Sequence, residues 1–481
     1  MLEENLTILQ MNDSHAYLDI HQELFWDGDH AKYKLAGGYA RIATIFNQIR
    51  AENPNKTLVF DCGDTIHGTY AAVKTKGEAL IPILNYLDFD AMTAHWEFAY
   101  GPEHLKKLTK KLNYPLLAIN CYNESNNELL FEPWIIKEIG KLKIGIIGIA
   151  ATIVDKVMPS NFSKGIYFTM GNEELPYYIK KLRNDEKVDL IVVISHLGFP
   201  QEMKLAMDVD GIDILLSSHT HNRLYKPAIV NNTILIQSGC HGSFIGRLDL
   251  SISQGKIVKF KHRLITVAED IQPDPDANNI INQILNPYRD ILSQVMGYTK
   301  TGLNRNTVLE STMDNFLLKS LLEETNAQLA FSNGWRYGAP VPPGKITLND
   351  LYNIIPVNPP VSTVELTGQE IWIMMEENLE HLFSNDPYNQ MGGYLKRCMG
   401  INIYFKVENP KGYRIQELFV EGKKIKMDQI YKAVYVTSQG VPSKYGKKKN
   451  QLDVHAVKVL QNYLSNNPII KTEIQGTMTV V

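Results

Sequence analysis

Short runs rich in Ile, Leu and Val alternate with amphipathic stretches through the first half of the chain. LTILQMN, TLVFDCGD, LIVVISHLG, IDILLSSHTH and TILIQSG are brief, apolar and bounded by polar or glycine-containing segments, which predicts strands. Between them, YARIATIFNQIRAEN, PEHLKKLTKKL and ELPYYIKKLRND carry apolar residues at three-to-four spacing, the pattern of half-buried helices. Strands alternating with helices predict a layered α/β architecture, and a sandwich of two sheets flanked by helices fits the pattern. GRLDLSISQGKIVKFKHRLITV then changes to a period of two around QG, so a hairpin is expected to close the first domain.

AEDIQPDPDANN, rich in Pro, Asp and Asn, marks a linker. IINQILNPYRDILSQVM follows as a connecting helix, with Pro287 predicted to break or kink it. The expected organisation is a first domain over 1–270, a linker helix over 271–298 and a second domain over 299–481. A chain of 481 residues is too long for one ordinary core, which agrees with at least two domains. No internal repeat, low-complexity tract or heptad pattern changes that picture.

Composition narrows the classes of function. The chain is 44% hydrophobic and 21% charged with a formal net charge of −3, so neither nucleic acid nor a cationic partner is indicated. The longest apolar runs, such as KIGIIGIAAT, are too short to span a bilayer. The opening MLEENLTILQMND has no basic segment followed by an apolar one, and the expected location is cytoplasmic. Cys62, Cys121, Cys240 and Cys398 form no CxxC pair, so neither a disulfide framework nor a thiolate zinc site is expected.

Five apolar strands end in His or Asp: LQMNDSH (Asp13, His15), VFDCGD (Asp61, Asp64), MTAHWE (His95), VISHLG (His196) and LLSSHTH (His219, His221). Ligand sites in α/β sheets gather at the carboxyl ends of strands, so neighbouring tips of this kind would converge on one place. Imidazole and carboxylate without thiolate suit zinc, manganese, iron or cobalt. Seven such ligands are too many for one ion, whereas a single bridging carboxylate would let them hold two. Two divalent ions against two aspartates leave about two positive charges to attract an anionic ester, and a bridging water becomes a source of hydroxide.

The ordered set of motifs resembles the 5'-nucleotidase and 2',3'-cyclic phosphodiesterase family of calcineurin-like metallophosphoesterases, over nearly the whole length. LQMNDSH is similar to that family's N-D-x-H, DCGDTIHG to its D-x-G-D-x-x-x-G, and SHLG and SHTH to its later histidine motifs. The resemblance implies a four-layer α/β/β/α N-terminal domain and an α+β C-terminal domain. It also implies two divalent cations, most readily manganese or zinc: Asp13, His15, Asp64 and His221 on the first, and Asp64, His95, His196 and His219 on the second. The activity implied is hydrolysis of a phosphoric ester, 5'-nucleotidase-like, by metal-bound hydroxide, with a small anionic substrate such as a nucleotide.

AHWEFAYG departs from the family's G-N-H-E-F-D-x-G. His95 stands for asparagine, which keeps a neutral ligand and bears on metal preference. Trp96 falls where the family has the histidine assigned to the transition state or leaving group, and Ala99 falls on its aspartate partner. Indole carries one N–H donor and no basic nitrogen. His67, His241 and Tyr100 are the candidates to substitute for it, with His67 and His241 taken as the catalytic pair. The HWEF loop, FSNGWRYG and GVPSKYG are also similar to the dimanganese thiosulfohydrolase branch of bacterial sulfur oxidation. Hydrolysis of a sulfur ester, and a metal-bearing anion-binding protein with little turnover, therefore stand as alternatives.

In the second domain, AFSNGWRYG resembles the family's anion-binding turn and offers Asn333 and Arg336, a guanidinium suited to phosphate or sulfonate. Tyr394 in MGGYLKRCMG and Tyr445 in VTSQGVPSKYG fall near the family's two base-stacking aromatics, the second displaced.

Overall fold

The computed structural model describes residues 3–481, which divide into two compact units. Among the described residues, the first comprises 3–21 and Leu35–Pro287, and the second Gln22–Lys34 and Tyr288–Val481. The hairpin of strands His21–Asp27 and His30–Ala36 therefore falls largely to the second unit, which chain order does not foretell. The connecting helix, Pro275–Leu292, runs through Pro287 unbroken, and the units divide there.

The N-terminal unit is built on two sheets. One has the strand order Lys256–Thr266, Phe244–Ser253, Glu4–Met11, Thr57–Asp61, Ala91–Met92, the last three parallel. The other runs Ala228–Val230, Thr233–Ile236, Ile214–Leu216, Leu190–Ser195, Leu142–Ile149, Trp134–Ile139, with its four central strands parallel. Strand alternation sorts the side chains between two cores. Leu6, Ile8, Leu58 and Phe60 meet Ile144, Ile146, Val192 and Ile194 between the sheets. Ile147, Ile149, Ile191 and Val193 turn outward onto Leu175, Ile179 and Leu182 of the helix Leu175–Asn184 and Leu205 of Phe199–Asp208. On the first sheet's side, Tyr39–Glu52 buries Ile42, Ile45, Phe46 and Ile49 at helical spacing. The result is the four-layer sandwich. Its closing hairpin turns at Gln254 and Gly255, both with positive φ (53° and 71°), as a two-residue turn of right-handed strands requires.

The C-terminal unit is α+β. Its largest sheet orders Tyr394–Met399, Leu329–Gly334, Ile430–Val436, Pro360–Thr367 and Lys447–His455. The helices Leu348–Ile354 and Gly368–Phe383 begin in capping boxes, Thr347 with Asp350 and Thr367 with Glu370. No helix among the described residues is long and apolar enough to cross a membrane.

Candidate dimetal centre

Every ligand predicted for the metals lies just beyond the carboxyl end of a parallel strand of the N-terminal unit. Asp13 and His15 follow Met11, Asp64 follows Asp61, His95 follows Met92, His196 follows Ser195, and His219 and His221 follow Leu216. Asp13, His15, Asp64, His219 and His221 take left-handed φ values of 50°, 47°, 58°, 70° and 59°, which non-glycine residues adopt at a cost. Such strain at five ligand positions shows that side-chain direction has outweighed backbone comfort.

Two groups of ligand atoms result. Asp64, His95, His196 and His219 converge, as do Asp13, His15, Asp64 and His221, with the ligand atoms of each group all within 4.8 Å of one another. Asp64 is common to both. His95 Nδ1 lies 3.0 Å from Asp64 Oδ1, and His196 Nε2 lies 3.3 Å from Asp64 Oδ2. On the other side, His221 Nε2 is 3.3 Å from Asp13 Oδ1, and the Nε2 atoms of His15 and His221 face each other at 3.3 Å. His95 presents Nδ1 to Asp64, and that atom is as far along its side chain as an asparagine oxygen is, so the histidine can ligate where an asparagine otherwise would.

The hydrogen bonds behind these rings test whether cations fit. His15 Nδ1 faces the His67 carbonyl at 3.2 Å, and His196 Nδ1 faces the Cys62 carbonyl at 2.6 Å. A carbonyl only accepts, so both Nδ1 atoms carry the proton and both Nε2 lone pairs point inward. The His196 lone pair then faces the Asp64 and Asp13 carboxylates at 3.3 and 3.6 Å, an arrangement that needs a cation or a proton between. This is how proteins orient metal-binding imidazoles. The donor set fits two divalent ions.

Electrostatics agree. Burial alone would lower the His196 imidazole, but the Asp64 and Asp13 carboxylates hold it at about 10. Burial likewise opposes the His221 charge, yet Cys240 and Asp13 raise it to about 9. Asp64 is pulled well below the usual carboxylate range against its own desolvation, by His95, His196 and His15.

Carboxylates outside the ligand set hold the loops. Glu97, fully buried, accepts the amides of His95 and Thr65, each at 2.7 Å, and those of Asp64 and Ile66 at 3.3 and 3.4 Å. Glu202 accepts the Leu197 amide beside His196, and burial pushes its carboxyl up to about 7. Asn12 donates to Asp13 Oδ2 at 2.7 Å and to the Gly239 carbonyl at 2.8 Å. Asp61, also pushed up to about 7 by burial, accepts the Gly63 amide and the Thr65 hydroxyl, and so braces its loop rather than joining either group. Sequence reasoning did not single out Glu97, Glu202 or Asn12 as supports. A glutamate inside HWEF, between apolar neighbours, was the available signal for the first.

The candidates for the missing proton carrier separate in space. His67 is fully buried and stacks face to face on Trp96, ring centroids 4.5 Å apart and planes 18° apart. Burial lowers its imidazole to about 3, so it is neutral. His241 lies near the first ligand group, its ring 6.1 Å from His221 and 6.3 Å from His15. The Tyr100 hydroxyl donates to the Ile66 carbonyl at 3.1 Å.

Within the C-terminal unit, Arg336 donates to the Gly393 carbonyl at 2.7 Å and lies over the Tyr394 ring at 5.3 Å. Arg397, anchored to Asp314, lies over the same ring at 5.2 Å. Half-buried Asn333 shares a strand with the start of this turn. Tyr445 is placed differently: it is 7% exposed and belongs to the hydrophobic core of its unit.

Residues 6–223 match the calcineurin-like phosphoesterase family, and residues 294–438 match the 5'-nucleotidase C-terminal domain. The chain belongs to the 5'-nucleotidase family of calcineurin-like phosphoesterases. Members of this family are metal-dependent phosphoester hydrolases. The chain is 26% identical over 465 residues to the trifunctional nucleotide phosphoesterase protein YfkN of Bacillus subtilis, covering 87% of this chain but only 30% of that longer protein. It is 27% identical over 458 residues to the snake venom 5'-nucleotidase of Naja atra, covering 86% and 84% of the two chains. In fold, the phosphoesterase is similar to the Thermus thermophilus sulfate thiohydrolase SoxB, with a TM-score of 0.92, 22% identity and coverage of 99% and 96%.

Proposed function

We propose that this phosphoesterase hydrolyses a phosphoric ester of a small anionic molecule, foremost a nucleotide, with two divalent cations, manganese or zinc, held by its seven ligands. One observation carries the reading: two groups of four ligands, all buried except the half-buried His221, share the single carboxylate of Asp64. Ions bound there would polarise phosphoryl oxygens and make a water acidic enough to attack phosphorus. Asp64 would span the pair, Asp13, His15 and His221 would complete one coordination shell, and His95, His196 and His219 the other. His241 and His67 are assigned as N–H donors to the bound oxyanion, His67 kept neutral by burial and His241 the less enclosed at 4% exposure. In the C-terminal unit, Arg336, Asn333 and Tyr394 are assigned to the anionic substrate. The Arg336 guanidinium, aligned by the Gly393 carbonyl, suits two phosphoryl oxygens. The nucleotide reading is supported by the relatives that act on nucleotides.

Elemental analysis of the purified protein, followed by assay of nucleotides, cyclic nucleotides and aryl phosphates with manganese, zinc and cobalt, tests the proposal. Two equivalents of metal with phosphate release are expected. Stoichiometric metal without turnover of any member would end it. The His95–Trp96 pair favours one second reading, hydrolysis of a sulfur ester, for which sulfate release from thiosulfonate conjugates is the assay.

A further inference from the structure

We infer that Trp96 determines which leaving group this enzyme can expel: phosphoryl groups are cleaved when the departing oxygen is a stable anion, as in phosphoanhydrides and aryl phosphates, and simple alkyl monoesters are poor substrates. The inference rests on the phosphoric ester hydrolysis proposed above and names the substrate class within it.

Trp96 directly follows the ligand His95, and its amide donates to Asp64 Oδ1 at 2.8 Å. Its main chain is therefore fixed against the carboxylate common to both ligand groups. The indole is 7% exposed, held face-on by His67 and edge-on by Phe162 with centroids 5.9 Å apart. At this position the site presents a rigid apolar ring whose single N–H does not release its proton in water.

Among the described residues, the groups packed around the second ligand set are engaged or enclosed. Glu97 is engaged by four amides, and Asp61 by an amide and a hydroxyl. The Tyr100 hydroxyl donates to the Ile66 carbonyl, and Glu202 is wholly buried at the amide of Leu197. His67 is enclosed by the indole itself. His241 lies at the other ligand group, next to His15 and His221.

The chemical consequence follows from the balance of the step. A water oxygen forms the new P–O bond while the bond to the leaving oxygen breaks, the electron pair stays on that oxygen, and the water protons pass to solvent. A departing phosphate, whose conjugate acid has a pKa of about 6, needs no proton. A departing alkoxide is about as basic as hydroxide, whose parent water has a pKa of about 15.7, and leaves slowly unless protonated. A positioned acid is worth about 10² to 10⁴ in rate, so its lack penalises alkyl monoesters selectively by about that factor.

The test compares kcat/KM of the manganese-loaded protein across phosphate monoesters of graded leaving-group pKa, together with a nucleoside 5'-monophosphate and the corresponding diphosphate. The inference expects a steep fall with rising leaving-group pKa and a preference for the diphosphate. Trp96→His should flatten the slope by raising alkyl esters about 10² or more while changing aryl esters little. Trp96→Phe should keep the native slope. Calorimetric binding of inorganic phosphate and metal content should be alike in native protein and both variants, which separates proton delivery from a disturbed site. A flat native slope, or a Trp96→His effect equal on all substrates, overturns the inference. So does a His241→Gln variant that loses alkyl esters but spares aryl esters, since it would identify His241 as the acid. Turnover without the trend overturns the inference alone, whereas absence of all turnover overturns the phosphoesterase reading and the inference with it.

Discussion

The Glu97 carboxylate meets the Thr65 amide at 2.7 Å, although the two residues lie on loops that follow different strands. Through its other oxygen Glu97 holds the His95 amide, also at 2.7 Å. One buried acid thus sets the spacing between Asp64 and His95, ligands of the same group. Ligand direction here is a property of the backbone, and Glu97 holds that backbone.

Glu97→Gln puts an N–H₂ group where amide donors converge. A loss of about 1–3 kcal/mol in the metal-free protein is expected, the cost of leaving buried donors unsatisfied. Manganese affinity should fall about 10- to 100-fold, as it does when outer supports of a metal site are removed. Urea denaturation of the chelator-treated protein and titration calorimetry with manganese measure the two effects. Unchanged manganese affinity would show that the ligands hold themselves.

His95→Asn should retain two metals, because the asparagine oxygen occupies about the place of the Nδ1 that now faces Asp64. Replacing nitrogen by oxygen should move preference from zinc toward manganese, in keeping with ligand type. Competitive loading with equal zinc and manganese, followed by elemental analysis, reads the shift. His95→Ala should lose one ion of the pair.

Metal binding should release protons. Without metal, His196 and His221 titrate at about 10 and about 9, above the ordinary imidazole value of 6.5, so at pH 7 both carry protons that the ions must displace. About two protons per pair of ions should appear in weakly buffered titrations, and affinity should rise with pH until about 9 to 10. The sign for folding is the reverse. A raised folded-state pKa contributes stability that is complete below 6.5 and is lost as pH climbs through about 9 and about 10. The melting temperature of the metal-free protein should therefore fall over that window.

Tyr445 and Tyr394 should answer truncation differently. Tyr445 lies in the core of the C-terminal unit, and Tyr445→Ala should cost about 3–5 kcal/mol, as removal of a buried aromatic does. Tyr394 is half-buried beneath two guanidiniums, so Tyr394→Leu should cost only about 0.5–2 kcal/mol for the lost cation–π contacts. Denaturation midpoints give both values. Weaker phosphate binding in the Tyr394 variant alone would assign substrate contact to that residue.

Much of this was legible before any coordinates. Runs such as TLVFDCGD and LIVVISHLG show where strands end and polar loops begin, because a strand buried on both faces is nearly all apolar and its exit is not. The seven ligands stand at those exits, and their residue types already speak for hydrolytic metals. Tyr445 could not be placed in this way, since an aromatic in a loop reads alike whether it packs inward or awaits a ligand. The assignment of Gln22–Lys34 to the second unit was equally hidden, because it depends on contacts between residues far apart in sequence.

By itself, the sequence determined the strand–helix alternation, the closing hairpin, the ligand chemistry and the absence of an ionisable group at Trp96, all of which follow from local pattern and side-chain identity. The family resemblance implied that Asp64 is common to both ligand groups, and the tertiary structure brings those groups together around it; only the tertiary structure decided that Glu97 joins two loops and that His67 lies stacked on Trp96. The physical reason is that strand register and loop reversal bring together atoms far apart along the chain. Their mutual distances, rather than their order, determine whether a carboxylate bridges, braces or stands apart.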